Sequence, residues 1–264
     1  MTNFNELVDV EQCDGTPLFS AAPVSTHYTN ISDDGRVIRV KVHTRFDNSS
    51  ESKFVRLSSG DGMNLFVDDI WPGSLALSEY LCRNSYLVKG KTVLELGAGA
   101  ALPSLVAAAL QALRVVITDY PATRVIENIR ELISDNGFED NVCAIGHIWG
   151  ETSNIKDLLH VNSNKKFEVL ILAELLWRDT YVYHEELLQS VSSLMAINGV
   201  AYVSFCHRPC LAHSEDNDME FFDLALSKFD LGREKLYEFS TIDSVSGGGD
   251  AVTVQIYSLR LSRS

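Results

Sequence analysis

KTVLELGAGAALPSLVAAALQALRVVITDY, Lys91 to Tyr120, is the stretch whose reading decides the fold. A short apolar strand, Thr92 to Leu94, meets Glu95 and then the turn Gly97-Ala98-Gly99. An alanine-rich helix follows, and a second apolar strand, Val115 to Thr118, ends in Asp119. In an open parallel sheet built from such units, ligands sit beyond the carboxyl ends of the strands, where glycines let the backbone approach closely. A carboxylate at the tip of the second strand suits a ribose diol, because it can accept both hydroxyl hydrogens. The unit reads as a site for a nucleoside-bearing cofactor. The plainer alternative is a glycine turn with no ligand.

Two details argue against a dinucleotide. A G-x-G-x-x-G fingerprint starting at Gly97 needs a third glycine where the chain has Leu102, and Pro103 follows. No lysine or arginine stands between Lys91 and Arg114 to neutralise phosphates, whereas Glu95 and Asp119 bring negative charge. That balance suits a cofactor carrying a cationic ammonium and sulfonium, which S-adenosylmethionine does.

The run from Leu87 to Pro121 resembles the seven-β-strand, class I S-adenosylmethionine-dependent methyltransferases, and within them methyltransferase family 16, which contains protein-lysine methyltransferases. Other landmarks agree: Trp71-Pro72-Gly73, Ile148-Trp149-Gly150 and Ala173-Glu174-Leu175-Leu176-Trp177. Further on, Ser204 to Pro209 and Asn217 to Phe222 are similar to the fungal nicotinamide N-methyltransferase-like branch, which includes an elongation factor methyltransferase. The resemblance spans about Leu65 to Arg260. It implies a Rossmann-like α/β fold with a C-terminal antiparallel hairpin, over residues 65–264; residues 1–64, which match the family poorly, read from their own pattern as a small, partly β-rich extension.

Around that core, Arg36 to Val42 alternates like a half-buried strand, Asp47 to Lys53 reads as a loop and Ser58 to Gly62 as a turn. Residues 1–30 lack periodicity and read as partly mobile. Helices are expected from Trp71-Pro72, from about Ala122 to Asp135, from Tyr183 to Met195 with Asn198-Gly199 as its cap, and from Asp218 to Lys228. Strands are expected at Val142 to Ile145, Phe167 to Ala173 and Val200 to Phe205. Glu234 to Phe239 and Val252 to Leu261, around the glycine loop Ser246 to Asp250, read as the closing hairpin.

Composition narrows the setting. The 264 residues are 45% hydrophobic, enough for a substantial core. Five scattered cysteines argue against a disulfide framework and for a reducing compartment. The first residues have no basic or apolar leader, and no apolar run approaches the roughly 18 residues of a membrane span, so a cytoplasmic protein is expected. A net charge of −14 disfavours nucleic-acid and anionic-membrane surfaces and is compatible with a basic partner.

The resemblance assigns Gly97, Ala98 and Gly99 to the methionine portion of S-adenosylmethionine, Asp119 to the ribose hydroxyls and Trp149 to the adenine face. Ala173 contributes backbone contact, and Trp71 closes one side of the pocket. An indole after a strand end can indeed stack on a purine, although Trp149 and Trp71 also suit plain packing. Glu174 and Trp177 fall on the family's acceptor-lining motif: a carboxylate beside an aromatic wall can hold an ammonium and later orient the amine. His207, at a strand end, could relay the amine's proton or brace a loop. Cys206, His207, Cys210 and His213 lie within one strand-to-loop segment, unlike the separated pairs of structural zinc sites, and no metal is expected.

The implied activity is methylation of a protein amine, the N-terminal amine or a nearby lysine of translation elongation factor 1A, by a monomer. Three alternatives stay open: a small pyridine-like acceptor, a NAD-linked oxidoreductase, and a silent module that binds the cofactor without catalysis.

Overall fold

A computed structural model of the chain describes residues 24–29, 38–43, 55–56, 64–65, 70–176, 178–207, 214–242 and 251–262. Its largest element is a seven-stranded sheet. The strands are β5 (Thr92–Glu95), β6 (Arg114–Asp119), β7 (Val142–Gly146), β8 (Phe167–Ala173), β9 (Met195–His207), β10 (Leu231–Ile242) and β11 (Ala251–Leu261), numbered after four earlier strands described below. Their spatial order is β10-β11-β9-β8-β5-β6-β7. The five strands from β5 to β9 pair in parallel, while β11 runs antiparallel to both of its neighbours. This is the expected methyltransferase-like arrangement. The order reverses at β5, which pairs with β6 on one side and β8 on the other, so the switch point lies at the end of β5.

Period-two alternation divides the core between the two faces of the sheet. Val115, Ile117, Val169 and Ile171 join one buried cluster, and Val116, Leu170 and Leu172 join the other. The first face is covered by α1 (Pro72–Arg83), α2 (Leu102–Ala109) and α3 (Thr123–Asp135). The second is covered by α4 (Ile155–Val161), α5 (His184–Leu194) and α6 (Ser214–Phe229). Because both faces are covered, the central strands read as continuous apolar runs, and Phe167–Ala173 falls where its sequence places it. In α3 the buried residues are Val125, Ile126, Ile129, Leu132 and Ile133, the stripe its helical spacing predicts.

The earlier strands form two small antiparallel pairs: β1 (Val24–Thr29) with β2 (Ile38–His43), and β3 (Val55–Arg56) with β4 (Asn64–Leu65). β2 packs on α2 and α3, and Val40 is buried in the first core cluster. β1 falls within a stretch whose sequence shows no period. The loop 47–53, the turn 58–62, the glycine loop 246–250 and the rest of residues 1–30 lie outside the described residues.

One boundary differs from expectation. The helix before β9 stops at Leu194, and Met195 is already extended (φ −79°, ψ 131°), pairing with Phe167 of β8. Asn198-Gly199 is therefore part of a strand and not a helix cap. Pairing resumes at Val200 opposite Val169 after an irregularity. A Cβ on Gly199 would lie 2.8 Å from Met195 Cγ and 2.9 Å from the Ala196 carbonyl oxygen. The glycine serves a tight fold of the strand onto its own beginning, a local signal that resembles a helix stop. Among the described residues no helix is long and apolar enough to cross a membrane.

Candidate active site

The turn after β5 is built from left-handed backbone. Gly97 (φ 63°), Gly99 (φ 51°) and Ala101 (φ 56°) carry the chain from the sheet into α2, with Ala101 as the helix N-cap. The Leu96 N–H donates to the Ile171 carbonyl at 3.1 Å and the Ala98 N–H to the Thr118 carbonyl at 3.0 Å, so the loop is fastened to both flanking strands. Thr118 Oγ1 donates to the Glu95 carbonyl at 2.7 Å. A Cβ on Gly97 would come 2.7 Å from Leu175 Cδ2 and 3.0 Å from Trp149 Cζ2. The bare backbone of Gly97 thus lies directly against an indole and a leucine.

Asp119 closes β6, buried, and its carboxylate is aimed by two backbone donors. The Gly99 N–H reaches Oδ2 at 2.8 Å and the Tyr120 N–H reaches Oδ1 at 2.6 Å. Each oxygen keeps a lone pair for a further donor, which is what a ribose diol presents. Burial pushes the Asp119 carboxyl up, against the pull of those N–H groups. Glu95 is buried as well and accepts the Ser104 N–H at 3.2 Å. Burial pushes it up to about 8, opposed by the bonding to Ser104 and reinforced by the Asp119 charge. Burial leaves Glu95 mostly protonated near neutral pH, contrary to the negative charge expected of it, whereas the Asp119 carboxylate beside the glycine turn, with oxygens open to a diol, fits the ribose of S-adenosylmethionine.

At the end of β8, Ala173 pairs with Ser204 and Glu174 turns into the left-handed region (φ 57°). The Glu174 N–H donates to the Ser204 carbonyl at 2.7 Å. Its carboxylate accepts the Gly73 N–H at 2.7 Å on Oε1 and the Cys206 N–H at 3.4 Å on Oε2. Gly73 lies in the first turn of α1, whose N-cap is Trp71 and first residue Pro72, where unpaired N–H groups favour a carboxylate. A Cβ on Gly73 would press to within 2.7 Å of Glu174 Oε1, so glycine is required for that approach.

The structure therefore brings together Gly97 with Trp149, Gly99 with Asp119, and the Trp71 helix start with Glu174. His207 is the last residue of β9, opposite Thr253; its side chain, with Trp177, Cys210 and His213, lies outside the described residues.

A family model described as lysine methyltransferase matches residues 57–228. The chain belongs to the lysine methyltransferase family. S-adenosylmethionine is accordingly its cofactor. The "Protein N-terminal and lysine N-methyltransferase efm7" of Schizosaccharomyces pombe is 36% identical over 196 residues, covering 71% of this chain and 73% of its own length. The Candida glabrata protein of the same name is 36% identical over 171 residues, 63% of this chain and 64% of its own length. Among solved structures, Pyrococcus horikoshii TYW2 in complex with MeSAdo superposes with a TM-score of 0.52 at 14% identity, covering 84% of this chain and 72% of that one. Trm5b of Pyrococcus abyssi gives 0.51 at 19% identity, covering 86% and 61%. At those identities the likeness is one of fold.

Sequence reading of this family member missed Leu175, which fills the space over Gly97. It also missed the buried set around His147, which touches the loop of Trp149 from behind. Leu175 sits inside the quoted Glu174-to-Trp177 motif but carries no chemistry to draw attention. His147 directly follows a strand end, a position where a lone histidine reads as ordinary.

Proposed function

We propose that this methyltransferase modifies a protein amine, the N-terminal amine or a neighbouring lysine of translation elongation factor 1A, acting as a cytoplasmic monomer. The observation that carries the acceptor class is the 36% identity to a fungal protein named for both N-terminal and lysine methylation. The elongation factor follows from the branch that the chain's motifs resemble.

In this reading the Asp119 oxygens take the ribose hydroxyls, and Trp149 covers the adenine. The Gly97–Gly99 backbone lies along the methionine portion, Ala173 adds backbone contact and Trp71 closes the near wall. When bound, S-adenosylmethionine supplies an electrophilic methyl group on a sulfonium, and no metal is required. What remains for the protein is to align a neutral amine with that methyl and to exclude water.

Glu174 suits the alignment. Backbone donors from Gly73 and Cys206 fix the carboxylate before any acceptor arrives, and Glu174 is assigned, with Trp177, to hold the acceptor's ammonium. The amine must then lose a proton, and His207 is assigned to take or relay it. An α-amine has a pKa near ~7.7–8.0 and lysine near ~10.4, so the lysine depends far more on desolvation at the entrance.

The test is incubation with labelled S-adenosylmethionine and a cell extract, followed by mass spectrometry of the labelled protein. Label on elongation factor 1A at its N-terminus or a nearby lysine is expected. Label confined to small molecules, or to a different protein, would overturn the acceptor assignment.

A further inference from the structure

The loop that carries Trp149 is held from behind by a linear relay of buried and half-buried polar groups. His147 is 2% exposed, and its backbone N–H donates to the Asp119 carbonyl at 2.8 Å. Its imidazole spans Asn154 Oδ1 (Nδ1, 2.8 Å) and Ser190 Oγ (Nε2, 3.0 Å). Asn154 Nδ2 donates to the Gly146 carbonyl at 2.6 Å, which fixes the amide with its oxygen toward the histidine. Nδ1 must therefore carry the proton, and Nε2 is left as an acceptor for the Ser190 hydroxyl. The serine oxygen is then free to accept the Gly150 N–H, at 2.9 Å.

Every donor in that chain points the same way, from Gly150 through Ser190, His147 and Asn154 to Gly146. Burial favours the neutral histidine the chain requires, partly offset by Asn154 and the charge of Glu151.

The connectivity is that of a serine–histidine–asparagine nucleophile set, but Ser190 is 1% exposed in the middle of α5 and its oxygen is already engaged. Its output is mechanical. Gly150 has φ 77° in the turn closed by the Glu151 N–H to the Ile148 carbonyl, 3.1 Å. A Cβ on Gly150 would lie 2.9 Å from both Cβ and Cγ of Glu186. Glu186 and Ser190 are four residues apart and share one face of α5, so the helix offers the turn both a steric floor and a hydrogen bond. The residue between the two anchors, His147 and Gly150, that faces the cofactor turn is Trp149, whose ring lies against Gly97.

We propose that Ser190, with His147 and Asn154, is a positioning residue for the adenine half of the cofactor site, fixing the Trp149 indole through the Gly150 N–H. The inference rests on the reading of Trp149 as the adenine wall. It makes α5, which carries none of the assigned site residues, a determinant of cofactor affinity.

Calorimetric titration with S-adenosylhomocysteine, alongside steady-state kinetics, tests it. Ser190→Ala leaves the half-buried Gly150 N–H and the buried His147 Nε2 without their serine partner and should weaken binding and raise the KM for S-adenosylmethionine about tenfold, with kcat at saturation changed less than about twofold. Ser190→Thr, which keeps a hydroxyl, should recover most of the loss. In a Trp149→Ala background Ser190→Ala should add less than about twofold, because the group it positions is gone. Asn154→Ala opens the same relay at its half-buried end, and should raise the KM about threefold if the serine variant does not fold.

Unchanged affinity in Ser190→Ala or Asn154→Ala, or full additivity with Trp149→Ala, would overturn the positioning role while leaving the adenine wall intact. Unchanged affinity in Trp149→Ala alone would overturn both.

Discussion

The ends of β6 and β8 each present a carboxylate at the same end of the sheet, and the two are held on different scales. Asp119 is fixed by N–H groups 20 residues before it and one residue after it. Glu174 is fixed by N–H groups 101 residues before it and 32 after it. The first arrangement belongs to one strand–turn–helix–strand unit and exists once that unit has folded. The second exists only when α1, β8 and β9 have met. The position assigned to the ribose hydroxyls is therefore built locally, and the assigned acceptor position depends on long-range assembly.

The largest effect expected from this contrast is on stability against pH. Glu95 rises from 4.5 to about 8 on folding, so between those values the folded chain keeps a proton that the unfolded chain has lost. Stability is fully present below the lower value and falls as pH rises through the upper one. Asp119, also raised, acts in the same direction. Denaturant titrations from pH 4.5 to 8 should show a decline that Glu95→Gln flattens, by on the order of 4 kcal/mol. Equal declines in both proteins would break the picture of a buried acidic seat.

Next in size is cofactor affinity. Asp119→Ala should weaken S-adenosylmethionine binding by about 2–3 kcal/mol in calorimetry, through lost charge-assisted hydrogen bonds. Glu174→Ala should leave that affinity within about twofold, while destabilising the fold by about 1–2 kcal/mol as the Gly73 N–H loses its partner. It should also lower kcat/KM for the protein acceptor at least about tenfold. Cofactor affinity lost equally in both variants would erase the distinction between the two strand ends.

The smallest effect separates backbone strain from crowding. Gly90 and Gly97 both have positive φ (69° and 63°), but a Cβ at Gly90 meets nothing within 4 Å. Gly90→Ala should destabilise by about 1 kcal/mol from conformation alone. Gly97→Ala should add a further fraction of that as Leu175 and Trp149 give way, and only Gly97→Ala should also weaken the cofactor. Identical losses of stability at the two positions would mean that the indole does not press on the turn.

The same difference in scale governs what the sequence shows. Phe167–Ala173, the stripe of α3 and the Gly97-to-Asp119 unit are legible because their signal lies within a few residues: an apolar run, a 3.6-residue period, a turn between strands. The short helix α4 is not, since Leu158 is its only buried residue and leaves no period to read. Its N-cap Asn154 makes no capping bond and spends its amide on Gly146 and His147. The carboxylate of Glu174 and the hydroxyl of Ser190 draw their meaning from partners far away in the chain, which no spacing rule contains. Met195 illustrates the reverse error: Asn198-Gly199 has the local chemistry of a helix stop, but pairing with Phe167 ends the helix earlier.

The order of the closing strands bears on how the chain is made. β11 follows β10 in the chain yet lies between it and β9, so β10 reaches the sheet only through β11. A nascent chain that has emerged as far as Ile242 has no partner for that strand within the sheet, and the hydrogen-bonding edge of β9 stays open. Completion waits until Leu261 has left the ribosome. Premature termination before Thr253 would accordingly leave β10 without its route into the sheet, and expose β9 to pairing with other chains.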